Sequence, residues 1–176
     1  MKKVRVNLSD SSIENAIKEL ERFKKHILSK TEELLIELAK EGVSVATVEF
    51  GKAVYDGTND VEVGFEQREN NKVAVIATGN ATLFIEFGTG INYPDSHPLA
   101  GENDMKHGEF GYKLGRLQNG WRYQGDAGTN GEIITQGKYA GWVKTKGNPA
   151  NMSMYNTERE LEQKFTEIAK RVFKND

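Results

Sequence analysis

The chain has no cysteine among its 176 residues. That removes disulfide staples, thiolate nucleophiles and cysteine metal sites together, so stability has to come from packing or assembly. It also has no long hydrophobic run. The longest, "VAVIA" at 73–77 (with "AVIA" at its end) and "LFIEF" at 83–87, fall far short of the roughly 20 residues that cross a bilayer. No charged leader precedes an apolar core at the N-terminus, which leads to the expectation of a soluble protein made in the cytosol, without a membrane partner. Charge of one sign is missing as well: 24 Lys and Arg against 26 Asp and Glu give a formal charge of −2. Mixed signs leave no basic footprint for phosphate backbones, so nucleic acid is not an expected ligand.

What is present is enough chain for one ordinary domain spanning 1–176, framed by two helical patterns. In the first, Ile13, Ile17, Leu20, Ile27, Leu34 and Leu38 follow steps of three and four, or sums of these, and share one stripe, which predicts a helix over about 12–41. Ser11 and Glu14 have the spacing of a capping box, and Gly42 suits the left-handed residue just past a helix end. Lys24 and Thr31 interrupt the stripe, favouring a short helix–helix contact over a long coiled coil. The second pattern, about 158–173, aligns Leu161, Phe165, Ile168 and Val172 behind Thr157 and Glu160, a second capping pair. Both stripes are expected to cover a common sheet or pack on each other. Neither polar face is dominated by lysine and arginine, which argues against a membrane-surface role.

Between the helices the period changes to two. Val61, Val63 and Phe65 alternate with Glu62, Gly64 and Glu66, as in a strand with one wet face, while "VAVIA" at 73–77 is apolar on both sides and reads as more central. "RENNK" at 68–72 joins the two as a hairpin. "VATVEFGKAV" at 45–54 fits either a strand or the tail of the first helix. A third strand is expected at about 82–87, ending at Gly88. From Gly88 to Gly147 lie 13 of the 18 glycines, both tryptophans and four of the six tyrosines. Segments this long without regular structure are uncommon in compact domains unless they bind, assemble or are partly disordered. "EIITQ" and "GWVKT" are the short strands that could tie this one to the sheet. The expected fold is α+β: two helices on a small, mainly antiparallel sheet, with a long glycine-rich loop.

Several residues could carry chemistry. Glu86, lodged between Ile85 and Phe87, could be a general acid or base if desolvation raised its pKa. Strand alternation instead puts it on the face opposite its neighbours, and no histidine or second carboxylate lies close by in sequence as a partner. "GTG" at 88–90 resembles a phosphate cradle only in its glycines, since no P-loop lysine and no helix follows. His97, Asp104, His107 and Glu109 are possible zinc or calcium ligands, and a metal-dependent hydrolase would use them, yet their spacing matches no compact site. Neither a metal nor any other cofactor is therefore expected. Ser96 and Ser153 could be assigned to a triad on paper, but neither sits in a nucleophile elbow. Trp121, Tyr123, Tyr139 and Trp142 fit either a stacking platform, as in a carbohydrate- or cell-wall-binding module, or local anchors that pin the loop to its own domain.

"FIEFGTG" at 84–90, preceded by "YDGTNDVEVGFEQRENNKVAVIATGNATL" and followed by "GNPANMSMY" at 147–155 and an amphipathic helix, resembles the tail-component and tail-completion proteins of long-tailed bacteriophages and of prophages of Gram-positive bacteria. The likeness runs over nearly the whole chain, in the same order of elements. One departure is that the family commonly has a further proline shortly after its Pro-Ala step, where this chain has Met152, Ser153 and Met154. The resemblance implies a non-enzymatic virion protein of the tail or neck, present in the host cytoplasm during assembly. Its partners would be copies of itself in a ring, with six the expected number, and phage neck and tail proteins. Glu86, Phe87, Gly88, Thr89, Gly90, Gly147, Pro149 and Ala150 would then shape an interaction motif rather than an active site.

Overall fold

The computed structural model describes residues 9–90, 93–106 and 120–174. Helix α1 (Asp10–Gly51) is followed by the strands β1 (Glu62–Arg68) and β2 (Lys72–Thr78) and by a short helix, α2 (Thr82–Phe87). Three short strands come next, β3 (Trp121–Tyr123), β4 (Glu132–Ile133) and β5 (Val143–Thr145), and helix α3 (Ser153–Lys174) closes the chain. The architecture is α+β. No helix among the described residues is long and apolar enough to cross a membrane.

Helix α1 has 42 residues, about 63 Å at 1.5 Å per residue. It starts two residues earlier than expected, so Ser11 lies inside its first turn and Ser9 holds the N-cap position. It also runs ten residues further, because Val45, Ala46 and Phe50 are buried and keep the helical period going. Gly42 is therefore no terminator. It is buried in mid-helix, where a Cβ would stand 2.8 Å from Val75 Cγ2 and 3.1 Å from Leu161 Cδ1, and its missing side chain lets a strand and a helix approach. The real end is stopped by amides from elsewhere: Asn151 donates to the Glu49 carbonyl at 2.8 Å and Asn59 to that of Phe50 at 2.9 Å.

β1 and β2 form an antiparallel hairpin in the register Glu62↔Thr78 to Arg68↔Lys72. Asn70 and Asn71 turn it with left-handed φ of 62° and 54°, a region asparagine tolerates better than most residues. The third strand expected at 82–87 is instead α2. A short apolar run has no period that separates strand from helix, and tertiary capping decides here. The Asp60 carboxylate accepts the amides of Asn80 at 2.9 Å and Ala81 at 2.8 Å, which satisfies donors at the start of α2. These amides, Ala81 first, hold the Asp60 carboxyl below the usual carboxylate range.

β3, β5 and β4 form a separate antiparallel sheet in that order. "EIITQ" and "GWVKT" do supply strands, but they join each other rather than the hairpin. This second sheet is tied to the segment after α1: Thr129 donates its amide to the Tyr55 carbonyl and accepts the Tyr55 amide, both at 2.8 Å.

α3 runs antiparallel to α1, since Asn156 reaches Glu49, Lys164 pairs with Glu41 and Arg171 with Glu37. It starts five residues before its expected first residue. Thr157 is thereby inside the helix, buried, with its hydroxyl donating back to the Ser153 carbonyl at 2.7 Å. Ile168 and Val172 are buried, whereas Phe165 is 48 % exposed. The core gathers Phe50, Ala81 and Ile85 with Val61, Val63 and Met154 around them, and a second cluster joins Phe87, Tyr93 and Ala100.

Candidate functional site

The motif residues separated by almost sixty positions meet in space. Thr89 donates its amide to the Asn148 carbonyl at 2.8 Å and its hydroxyl to Asn148 Oδ1 at 2.7 Å, and accepts the Asn148 amide at 3.0 Å. Asn148 is buried and its side-chain amide reaches the Phe84 carbonyl at 3.4 Å. Asn151 and Met152 donate their amides to the carbonyls of Ile85 and Glu86, at 2.8 and 3.2 Å. "FIEFGTG" and "GNPANM" are thus stitched together by backbone. The glycines allow it: a Cβ on Gly88 would lie 2.7 Å from the Ala150 nitrogen and one on Gly147 2.2 Å from the Thr89 oxygen, and both have positive φ.

Glu86 is at the centre of this join. It is 6 % exposed, and Ile85 and Phe87 are buried beside it, so the strand expectation that it lies on the face opposite its neighbours is overturned. Its carboxylate accepts the amide of Met154 at 2.8 Å and of Tyr155 at 3.2 Å, the first-turn donors of α3. The carboxylate therefore does what the expected Thr157–Glu160 pair was to do, and it favours the positive end of the helix dipole.

His97, eleven positions on, is the partner that sequence proximity did not suggest. Its Nε2 lies 3.1 Å from Glu86 Oε1, while Nδ1 accepts the Leu99 amide at 3.1 Å. Those partners assign the ring proton of the neutral imidazole to Nε2, directed at the carboxylate. The ring also packs against Phe87 at 4.4 Å and edge-on to Tyr155 at 5.9 Å. Both His97 nitrogens are engaged, and neither bonds a serine. Ser96 Oγ accepts the Ala150 amide at 3.2 Å, and Ser153 Oγ accepts from the Asn151 side chain at 2.7 Å. The "GTG" amide of Thr89 is likewise turned inward to Asn148 and not toward a phosphate.

His107 and Glu109 lie outside the described residues. Among the described residues no three or more His, Cys, Asp or Glu stand together as metal ligands. Asp104 is exposed and pairs with Lys106, whereas His97 is buried. Pro149 is exposed and Ala150 buried. Met152, the first of the three residues where the resemblance leads one to look for proline, has φ 55°. Proline is locked near −65° and cannot occupy that position.

The loop aromatics divide. Trp121 packs its ring over Gly90, where a Cβ would lie 2.7 Å from the indole. The Tyr123 hydroxyl donates toward the carbonyls of Asp56 at 2.6 Å and Asp126 at 2.7 Å. Burial, with the charge of Asp56 behind it, pushes the Tyr123 phenol up to about 12. These two residues are anchors. Tyr139 and Trp142 instead pair edge-on at 5.4 Å, with Arg122 4.8 Å above the Tyr139 ring. Sequence reading passed over Asn148 and Asp60 as functional positions. The "GNPA" string drew attention to the neighbourhood of Asn148, whereas nothing local marks Asp60, whose partners lie 20 and 21 positions away.

Comparison with protein-family models, curated proteins and solved structures finds nothing that matches the chain.

Proposed function

We propose that the protein is a non-enzymatic structural subunit of a long-tailed bacteriophage particle, acting in tail completion or head-to-tail joining. It would form a ring with copies of itself and contact neck and tail proteins. The phage assignment rests on the resemblance carried by "FIEFGTG" and "GNPANMSMY". The assembly role rests on one observation: the first half of α1 presents Ile13, Ile17, Leu20, Phe23, Ile27 and Leu28 at 37 to 58 % exposure. Single exposed apolar residues are ordinary, but a contiguous row along one helix signals a surface meant to be covered. The buried Glu86 is consistent with this reading, because its oxygens hold a helix start and a histidine, in the manner of a brace.

Solution mass across a wide concentration range, together with deletion of the gene from its phage, tests the proposal. The expected results are self-association in vitro and heads and tails that fail to join in the deletion. A protein that stays monomeric throughout, with intact particles formed in its absence, would overturn it.

A further inference from the structure

The reading as a self-assembling subunit leaves open which surfaces meet, and two unlike surfaces on this chain fit each other. One is the α1 stripe, where residues 17–29 are exposed without exception. The other is an open groove of about 740 Å³ where α1, β2 and α3 come together, lined by Leu38, Val73, Leu161 and Phe165 and flanked by Glu158 and Glu162. We infer that the stripe of one copy seats in the groove of another copy, an inference that rests on the self-assembly proposed above.

Three observations carry it. First, an amphipathic helix laid into an apolar groove is a standard recognition mode, with anchors at spacings of three, four and seven, and Ile17, Leu20 and Ile27 are spaced by three and seven. Second, the charges are complementary. Lys24 falls within the stripe, three and four positions from Ile27 and Leu20, and Glu158 stands at the groove on one face of α3 with Glu162, four positions on, which also pairs with Arg159 at 3.1 Å. A parallel stripe-to-stripe contact would instead set Lys24 against Lys24. Third, the occupant has to be another molecule. Stripe and groove share α1, an unbroken helix over Asp10–Gly51, and a rigid helix cannot fold its first half onto its second. Uncovered, that first half is a poorly supported helix, since isolated segments of this length are marginal in water.

The test uses surface variants of the full chain, with circular dichroism to confirm that each keeps its helix content. A stripe variant, Leu20→Glu with Phe23→Glu, and a groove variant, Phe165→Glu, are each expected to weaken self-association at least about tenfold. Mixed one to one, they should recover a heterodimer, because the mixture still holds one intact stripe and one intact groove. Lys24→Glu should weaken association, and Glu158→Lys with Glu162→Lys in the partner should restore it. If wild-type protein oligomerises and the groove variant associates equally well, or if the mixture recovers nothing, this contact is wrong while the assembly reading stands. Wild-type protein that is monomeric at every concentration would sink both.

Discussion

Glu86 shows how one side chain can set the start of a distant helix. Its oxygens receive two first-turn amides of α3 and face the His97 ring nitrogen, all within 3.2 Å. Replacing it with glutamine preserves shape but turns one acceptor into a donor aimed at donors. Glu86→Gln is therefore expected to lower stability by about 1–3 kcal/mol, and Glu86→Ala by at least as much, read from urea midpoints at constant slope. An unchanged midpoint in both would deny it the capping role. The oddity of Glu86 was legible in the sequence, but its surroundings were not. Within "LFIEF" a strand and a short helix place the same residues on different faces, and the choice was made by Asp60 and Asn148 from far along the chain.

At the level of elements, the amphipathic periods identified both long helices and the hairpin, and misjudged where the helices end. Gly42 is the clearest case, because glycine is as good a marker of close approach as of termination. Alanine there would ordinarily favour the helix by up to about 1 kcal/mol. With Val75 Cγ2 only 2.8 Å from the new Cβ, and a β-branched side chain unable to swing away, overpacking should outweigh that gain. Gly42→Ala is expected to cost about 1 kcal/mol net and Gly42→Leu more, in the same unfolding assay. A stabilised alanine variant would mean that β2 and α3 yield easily. The separate β3–β5–β4 sheet was beyond periodicity, since strands of two or three residues carry no measurable repeat.

For the whole molecule, the α+β class was legible because two amphipathic helices bracket a stretch of period two. What eluded the pattern was how much of the first stripe remains uncovered. Hydrophobic period says that a face will be buried without saying whether the same chain buries it. Thermal stability should then depend on protein concentration, because association stabilises the folded state by mass action. A rise in Tm of roughly 3 °C per tenfold increase in concentration is expected for a chain of this size, and a flat Tm would argue that the stripe needs no partner.

The Thr89–Asn148 join has an evolutionary consequence. Both borders of the intervening stretch are locked to the frame, and within it His97 is tied to Glu86, and Tyr123 and Thr129 to the segment after α1; between such ties, doubling the length of a flexible loop costs only about 0.6 kcal/mol in closure entropy. Insertions and trimming can accumulate at exposed turns between those ties, such as 101–104 and 135–138, while α1, the hairpin and α3 keep their arrangement, so novelty in what the molecule touches need not endanger how it folds.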